Sequence, residues 1–370
     1  MNREILIEAN KKIRKMRPVL WQNTACDYFR DGTFLEISFM SKRCKNDAAG
    51  SCVMCDYGAV DGVKSCQTYI REMECILKKE SGIQYLLLCT NGSIMDSSQI
   101  PESTFGEILE YANKTNIPNI ILETHYCDIT DRKLQKIKEI LSSKNITIEL
   151  GLETVNQTYQ DNLIMKHIDM HTFEKTVYMI QNYGISVDLN ILIGLPFLSE
   201  KEQLQDTKNS IIWAFEHSCN VVVFPVNIKP FTLLMNMFEN GYYKPVSHWL
   251  LLLLLDTLEA EQLSQIVISY YGNRDENYYF NGYKTIFPDC CSVCRKPLMD
   301  FYNAFSNEDN PYQKKGLLNQ VLKFDKCGCL KQQKQQLDLA NDNNFEEKYH
   351  SYSNFLKHEF FSESNQELKK

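Results

Sequence analysis

Three cysteines in one short segment have the residue type and spacing to hold a metal cofactor. Cys44, Cys52 and Cys55 follow an apolar, strand-like run at residues 34–39, and the last two are separated by two residues. Three thiolates suit a [4Fe–4S] cluster with one iron left open to a small chelating molecule, because such clusters are held by cysteine sulfur. A structural zinc site normally has four protein ligands, and no fourth cysteine or histidine lies close in sequence. Spacing alone leaves both the cluster and zinc open.

A second set of cysteines forms two close pairs later in the sequence, Cys291 with Cys294 and Cys327 with Cys329. Two such pairs, brought together by folding, suit a tetrahedral structural zinc ion. An auxiliary iron–sulfur cluster also fits four thiolates. The short paired spacings favour zinc, and Cys290 is an alternative to Cys291 as a ligand. We expect the remaining cysteines to be ordinary core or surface residues.

The bulk composition predicts one large core and a small additional module. The chain has 370 residues, 44% of them hydrophobic, and a net charge of −7, with an isoelectric point near 5.6. Because no long basic block is present, charge alone does not indicate a nucleic-acid-binding protein. The 14 cysteines and the absence of an apolar signal segment at Met1–Ile5 predict a reducing, cytoplasmic location. The leucine run at 250–255 is too short for a membrane span, which needs about 20 apolar residues.

Strand-like and helix-like patterns alternate along most of the chain. Strands are predicted at 34–39, 85–90, 119–124, 147–153, 186–193 and 220–224, and helices at 69–79, 105–115, 132–143, 171–183 and 201–217. This alternation predicts an α/β fold with a parallel sheet covered by helices. Right-handed crossovers would curl such a sheet into a partial TIM-type (β/α)6 barrel.

Composition divides the chain into four predicted parts. Residues 1–30 form an N-terminal helical extension, expected to be a surface helix, and residues 31–287 form the partial barrel. Residues 288–331 form a small cysteine-rich, metal-binding module at the C-terminal side. Residues 332–370 are a polar tail that is expected to contain one helix and a frayed end.

Polar residues lie at the predicted carboxyl ends of the strands, where α/β barrels collect their reactive groups. Burying polar groups without partners is costly, so their joint placement around one mouth favours a ligand. Each of them alone is explained as well by capping or by ordinary core hydrogen bonding. The residues in question are Asn91, Gly92, Ser93, Glu123, Glu153, Asn190 and Asn227.

The segment from Gly50 to Tyr57, with Met54 directly before the third cysteine, resembles the cysteine motif of the radical SAM superfamily. The gap between Cys44 and Cys52 is seven residues rather than the usual three. This wider gap resembles the radical SAM subunit of archaeosine synthase, whose relatives include the Elongator catalytic subunit. The resemblance extends over about residues 34–330.

The resemblance implies that S-adenosylmethionine (SAM) is a cofactor besides the [4Fe–4S] cluster. It implies that backbone carbonyls near Asn91, Gly92 and Ser93 receive the SAM amino group. It further implies that Glu153 contacts the ribose and that Lys166 pairs with the carboxylate. Asn190, on the fifth predicted strand, is expected to be a further cofactor contact. No catalytic residue is assigned.

The implied activity is reductive cleavage of SAM to a 5′-deoxyadenosyl radical, followed by hydrogen abstraction from an amine- or amino-acid-bearing substrate, as a lyase or a transferase. The archaeosine-type enzyme cleaves a C–N bond in a lysine adduct of a 7-deazaguanine within tRNA. The sequence leaves a tRNA-linked substrate and a free small molecule equally open. Expected partners are a flavodoxin or ferredoxin as electron donor and an enzyme that supplies the substrate. A non-catalytic zinc-binding α/β protein is the alternative of another class.

Overall fold

An open eight-stranded sheet forms the centre of the protein. The computed structural model describes residues 3–17, 24–56, 62–269, 279–280, 283–288, 290–324, 326–339 and 345–362. The sheet has the order β1-β2-β3-β4-β5-β6-β7-β8, so every strand pairs with its neighbours in sequence, and it curls into a half-barrel. The strands are β1 (Cys26–Asp31), β2 (Phe34–Phe39), β3 (Tyr85–Thr90), β4 (Asn119–Thr124), β5 (Asn145–Glu153), β6 (Ser186–Ile193), β7 (Asn220–Pro225) and β8 (Ile266–Ile268), with a separate hairpin of β9 (Tyr279–Phe280) and β10 (Tyr283–Lys284).

Within the eight-stranded sheet as described, strands β2 to β8 are parallel to one another and β1 runs antiparallel to β2. Parallel neighbours need crossover connections, which here are mainly helical. The helices are α1 (Arg3–Lys15), α2 (Lys45–Ala48), α3 (Cys66–Lys79), α4 (Glu102–Lys114), α5 (Asp131–Ile140), α6 (Gln157–Tyr159), α7 (Met170–Asn182), α8 (Glu200–Glu216), α9 (Leu233–Glu239), α10 (His248–Asp256), α11 (Ala260–Leu263), α12 (Ser292–Ser306), α13 (Pro311–Val321), α14 (Cys329–Leu339) and α15 (Phe345–Phe361).

The predicted fold class is confirmed, and all six predicted strands are present. The sheet also contains two strands that the sequence patterns did not predict. β1 lies within the predicted N-terminal extension and pairs along its whole length with β2. Its residues are mostly exposed or charged, so it lacks the apolar signature of the central strands. β8 spans only three residues at the opposite edge.

The two faces of the sheet differ in chemistry, because successive side chains of a strand point to opposite sides. The outer face is apolar and packs with the helices in the main core, as shown by Leu35, Ile37, Leu86, Leu88, Ile120, Leu122, Ile148, Leu150, Val187 and Leu189. The intervening residues face the inside of the half-barrel and are largely polar, namely Glu36, Ser38, Cys89, Glu123, Glu149, Asp188 and Asn190. The polar side chains inside the half-barrel are therefore the groups available to bind a ligand.

Several helices begin at side chains that cap their first turn. Ser65, Thr130 and Asp169 each accept a hydrogen bond from a backbone N–H in the first turn of the following helix. Ser199 and Glu202 form a reciprocal capping box at the start of α8. Such caps satisfy N–H groups that have no partner within the helix. They fix where each strand-to-helix loop ends and thereby define the loops at the barrel mouth.

Helices α1 and α15 pack together in a second apolar cluster beside the mouth. Leu6 and Ile13 of α1 lie in this cluster with Tyr349 and Tyr352 of α15. The prediction of a surface helix thus missed a buried face of α1. The predicted polar tail contains two helices, α14 and α15, rather than one; its last residues, 363–370, lie outside the described part.

The leucine run at 250–255 lies within α10, whose residues are almost all buried. Among the helices that the structure describes, none has the length and apolar character needed to cross a membrane.

Candidate functional site

The first cysteine set lies in the loop that follows β2, at the carboxyl end of the sheet. Cys44 precedes the short helix α2, and Cys44 and Cys52 are buried while Cys55 is partly exposed. Gly50 has a φ angle of 81°, and a Cβ there would lie 2.7 Å from the carbonyl oxygen of Ile7. Only glycine allows this close approach between the loop and α1. Tyr57 and Gly58, the end of the motif, lie outside the described residues.

A buried arginine of α1 holds this loop. The guanidinium of Arg14 donates hydrogen bonds to the carbonyl oxygens of Asp47 (2.6 Å), Ser51 (2.7 Å), Cys52 (2.8 Å) and Cys55 (3.2 Å). Its Nε lies 3.2 Å from the Asp47 carboxylate, which neutralises the buried charge. Arg14 therefore binds directly to two of the three cysteine positions through their backbone. Arg14 was not predicted as a functional residue, because the sequence shows it only as one arginine among the apolar positions of α1.

The opposite side of the loop is bound to the barrel. The backbone N–H of Cys52 donates to the carbonyl of Ile164 (2.9 Å), which ends a π-helical turn, Gln160–Ile164. The carbonyl of Val53 accepts from the backbone N–H of Leu234 at 2.9 Å. The loop is thus fixed from α1, from the segment after β5 and from α9, which leaves its cysteine side chains few alternative positions.

A single zinc ion and an iron–sulfur cluster would place different demands on the sulfurs of Cys44, Cys52 and Cys55. Two thiolates on one zinc ion, each about 2.3 Å from the metal, lie at most about 4.6 Å apart. Among the described residues, these three cysteines do not form a group whose sulfurs all lie within 4.8 Å of one another. A cluster with several irons holds its thiolates further apart than one ion does. Three thiols on one loop are the donor set that a cluster of several irons would use.

The loop after β3 lies against the cysteine loop. A Cβ at Gly92 would lie 3.2 Å from the Cβ of Cys44, so glycine permits close backbone approach here. The side-chain Nδ2 of Asn91 is buried and has no hydrogen-bond partner in the described part of the chain. Ser93 differs, because its hydroxyl is already hydrogen-bonded to Thr124 Oγ1 at 2.7 Å. A ligand bound at this loop would contact the loop backbone and could accept a hydrogen bond from Nδ2 of Asn91.

Lys166 and Glu153 form an ion pair beside Cys52 at the mouth. Glu153 ends β5 at an irregularity in strand pairing, with a φ angle of 68°, a conformation that costs energy for a non-glycine residue. Burial alone would lower the pKa of Lys166, but the charges of Glu153 and Cys52 outweigh it and raise that pKa. Burial raises the pKa of the Cys52 thiol, and Lys166 opposes this rise. Lys166 is thus a fixed cation next to the cysteine loop.

Two asparagines at the mouth carry buried acceptors without partners. Asn190 on β6 is 7% exposed and Asn227 after β7 is 9% exposed. In the part of the chain that the structure describes, the Oδ1 atom of each has no hydrogen-bond donor. The amide of Asn190 is hydrogen-bonded to Glu149. Because buried polar atoms are normally paired, these oxygens indicate a donor that comes from a ligand or from ordered water.

His125, Cys127 and Asp128 follow β4 and place their ligand atoms within 4.8 Å of one another. Burial lowers the pKa of His125 to about 4, with help from the charge of Lys166, so its imidazole is neutral at pH 7. Lys45 already contacts Cys127 Sγ at 3.5 Å and Asp128 at 3.2 Å. This ammonium occupies the negative side of the group, and we assign no metal to it.

The second cysteine set is brought together by helices α12 and α14. The sulfurs of Cys291, Cys294, Cys327 and Cys329 all lie within 4.8 Å of one another, and Cys290 is not part of the group. Their separations suit four ligands around one ion at about 2.3 Å. Four thiolates around one ion are typical of a closed structural zinc site. The geometry favours zinc over an auxiliary cluster.

The first residues of α12 favour the thiolate form of a cysteine at this site. Cys291 occupies the cap position of the helix, and the backbone N–H of Cys294 is the main cause that lowers the pKa of Cys291, to about 6. A thiolate, rather than a thiol, is the form that binds metal. Cys294 is fully buried in the main core. The site therefore connects the cysteine-rich segment to the barrel helices.

Two archaeal proteins named archaeosine synthase subunit beta are similar to this chain in sequence. That of Methanosarcina acetivorans is 24% identical over 282 residues, covering 75% of this chain and 79% of that protein. That of Thermococcus kodakarensis is 27% identical over 227 residues, covering 60% of this chain and 70% of that protein. The resemblance that the cysteine loop predicts is confirmed.

Solved structures with a similar arrangement include the archaeal Elp3 of Methanocaldococcus infernus, with a TM-score of 0.47 at 13% identity, covering 68% of this chain and 59% of that chain. Methylornithine synthase gives a TM-score of 0.47 at 17% identity, covering 72% of this chain and 70% of that chain. No protein-family model matches the chain.

Replacing Arg14 by glutamine should destabilise the protein and its cysteine loop. The change leaves buried carbonyl groups without donors, and loss of one partner of a buried ion pair typically costs about 3–5 kcal/mol. We expect a lower free energy of unfolding in urea, followed by circular dichroism. Arg30→Gln, which removes a partly exposed ion pair with Glu80, is the control and should cost less than about 1 kcal/mol. Equal losses in both variants would contradict the role given to Arg14.

Replacing Cys294 or Cys327 by serine should release the second metal. Because binding of a structural metal is coupled to folding, we also expect a lower thermal unfolding temperature. Elemental mass spectrometry of the purified variants measures the zinc and iron content. Cys290→Ser is the matched control, since Cys290 lies next to the site but outside the four-sulfur group. Full metal content in Cys294→Ser and Cys327→Ser would refute the site.

Proposed function

We propose that this chain is a radical SAM enzyme whose [4Fe–4S] cluster is held by Cys44, Cys52 and Cys55. The observation that carries the proposal is a loop of three cysteines at the barrel mouth, fixed by the hydrogen bonds of Arg14 to its carbonyl groups. Similarity to two proteins named archaeosine synthase subunit beta supports it. When bound, the cluster and SAM supply a 5′-deoxyadenosyl radical that abstracts hydrogen from an unactivated C–H bond.

The residues around the loop are proposed to bind and orient SAM. Lys166, held in place by Glu153, offers a cation to the SAM carboxylate. Asn91 offers an unsatisfied side-chain amide, and Gly92 lets its loop pack closely against Cys44 and Gln99. Asn190 offers its unsatisfied Oδ1. We include Ser93 through its backbone only, because its hydroxyl already bonds to Thr124.

The half-barrel is proposed to protect the reaction from water. The cysteine loop, α1 and α15 close one side of the mouth with a continuous apolar cluster that includes Val53 and Met165. Exclusion of water prevents quenching of reactive species and strengthens every electrostatic contact inside the site. Lys166 and the cysteine backbone therefore act in surroundings where a single misplaced charge is costly.

The substrate is proposed to carry an amine or amino-acid group, in a form linked to tRNA. The names of the two sequence relatives and the 79% and 70% of their lengths that the alignments cover support this form. Those names also describe a subunit, so we propose a partner subunit that supplies the substrate. A flavodoxin or ferredoxin is the proposed electron donor. Zinc at the second cysteine set is proposed to be structural.

Each of the substitutions Cys44→Ala, Cys52→Ala and Cys55→Ala should abolish the first cluster. After anaerobic reconstitution, we expect loss of the iron–sulfur absorption band and of 5′-deoxyadenosine formation with SAM and a reductant. The ratio of iron to zinc in the unmodified protein also tests the alternative, a zinc-binding protein without catalytic function. Retention of the band and of 5′-deoxyadenosine in any one variant would remove that cysteine from the ligand set.

Lys166→Ala is the matched comparison for these cysteine variants. It should keep the cluster spectrum and weaken SAM binding by roughly tenfold or more, because a hydrogen bond to a charged group contributes about 1.5–3 kcal/mol. Equilibrium binding of SAM to the reconstituted protein measures this loss. Unchanged SAM affinity in Lys166→Ala would place the SAM carboxylate elsewhere.

Bulk tRNA should be retarded by the protein in a gel-shift experiment at low salt. Contacts to phosphate dominate such binding, so the shift should weaken steeply as the salt concentration rises. The titration is run with the reconstituted protein and repeated with DNA of similar length as a control for general charge effects. Absence of any shift at low salt would eliminate the tRNA-linked substrate for this chain and leave a free amine.

A further inference from the structure

A layer of carboxyl groups crosses the inside of the half-barrel below the proposed SAM site. Glu123 on β4 is in register with Glu149 on β5, and Glu149 is in register with Asp188 on β6. Their side chains point to the same face, and neighbouring strands lie about 4.8 Å apart. Asp188 accepts a hydrogen bond from Asn220 at 2.9 Å. Three acidic side chains on adjacent strands thus share one small volume.

The two inner members of this layer lack an ion-pair partner in the described part of the chain, although the charges of Lys166 and Lys229 act on Glu123 from nearby. Across the described residues, neither Glu123 nor Glu149 forms an ion pair, whereas nearby Lys166 pairs with Glu153 and Lys229 with Asp56. Burial, and then the neighbouring carboxylates, raise the pKa of Glu123 to about 8, although the charges of Lys166 and Lys229 oppose the rise, and burial and Glu123 raise the pKa of Glu149. Carboxyl groups held together in a buried place keep their protons at neutral pH unless a cation is present to stabilise the charged form.

Asn190 supplies a second, independent sign of a missing ligand. It lies two residues beyond Asp188 on the same face of β6, about 6.6 Å nearer the mouth. Its amide group is hydrogen-bonded to Glu149. Its Oδ1 is an unpaired acceptor within the described structure, on a side chain that is only 7% exposed. A buried carbonyl oxygen next to two carboxyl groups calls for a donor of hydrogen bonds.

We propose that Glu123, Glu149 and the Oδ1 of Asn190 form a subsite for the primary ammonium group of the substrate. The inference rests on the proposed function and adds to it the position and the binding groups of the amine. A primary ammonium has three N–H donors and no acceptor, which matches two carboxylates and one amide oxygen. Asn190 then lies on the border between the SAM site and this subsite and contributes to both.

A metal ion fits this layer less well than an ammonium. Hard cations such as Ca²⁺ take six to eight oxygen ligands, and the layer offers two carboxylates and one amide oxygen. Within the described part of the chain, Glu123 and Glu149 belong to no group of three potential metal ligands within 4.8 Å. An ammonium bound here would direct its carbon chain toward the mouth, where Lys166 and the cysteine loop lie, because the strands close the other directions.

Binding of a minimal pair of probes tests the subsite. n-Butylamine is an ammonium ion at neutral pH, and n-butanol is a neutral compound of similar size. Ligand-observed NMR titration of the reconstituted protein with SAM measures both affinities. We expect butylammonium to bind and butanol to bind far more weakly. Glu123→Gln and Glu149→Gln should each weaken butylammonium binding by roughly tenfold, the effect of losing a charged hydrogen-bond partner, and leave butanol unchanged.

Controls keep the test decisive. Glu110→Gln changes an exposed carboxylate on α4 and should leave both affinities as they are. Should a glutamine variant fail to fold, as judged by thermal unfolding and the cluster band, Asn190→Ala takes its place and should weaken butylammonium binding several-fold. Equal binding of butylammonium to the unmodified protein and the folded variants, or equal binding of butanol and butylammonium, would overturn the subsite.

The proposed function fails by a different result. If the unmodified, reconstituted protein forms no 5′-deoxyadenosine from SAM and a reductant, the radical SAM function is wrong, whatever the amine affinity. If it forms 5′-deoxyadenosine but does not bind butylammonium, only the subsite is wrong.

Discussion

The contact on which the site depends is that of the Arg14 guanidinium with the cysteine loop. A loop that buries its own carbonyl groups must find donors for them, because unpaired buried carbonyls are costly. Arg14 provides donors to four of these carbonyls from one planar group. Asp47 balances the charge, with Arg17 also 3.1 Å from its carboxylate. Without this contact the spacing of the three cysteines in sequence would say little about their spacing in space.

The two faces of the half-barrel have different roles. The outer face is an ordinary apolar core that keeps the strands in register with their helices. The inner face carries carboxyl and amide groups, and among the described residues Glu123 and Glu149 have no ion-pair partner and Asn190 Oδ1 has no donor. Such a face is unfavourable for stability alone, and the ammonium group proposed above would offset that cost. Lys166 and Glu153 neutralise each other beside the cysteine loop, so the carboxyl groups without an ion-pair partner among the described residues lie deeper, at Glu123 and Glu149.

Sequence reasoning recovered the parts of this protein that depend on local patterns. The six central strands were predicted because their outer residues are apolar and turn signals separate them, and the four later cysteines that the fold brings together were identified from their spacing. The edge strands β1 and β8 were not predicted, because β1 is largely charged and β8 is only three residues long. The role of α1 could not be read locally, since Arg14 acts on a loop more than thirty residues away. The acidic layer depends on strand register, which joins Glu123 to Glu149 only in the folded sheet.

The packing of α1 against α15 has a consequence for how the protein is made. The ammonium of Lys12 donates to the carbonyl of Phe360, a contact between residues 348 positions apart. On the ribosome, α1 is synthesised before the barrel, and α15 follows only after all the other described helices. The apolar side of α1 therefore stays uncovered during most of translation, and contacts over such distances form late in folding. The nascent chain can assemble its sheet early, but the support of the cysteine loop is completed only after the last helix has emerged.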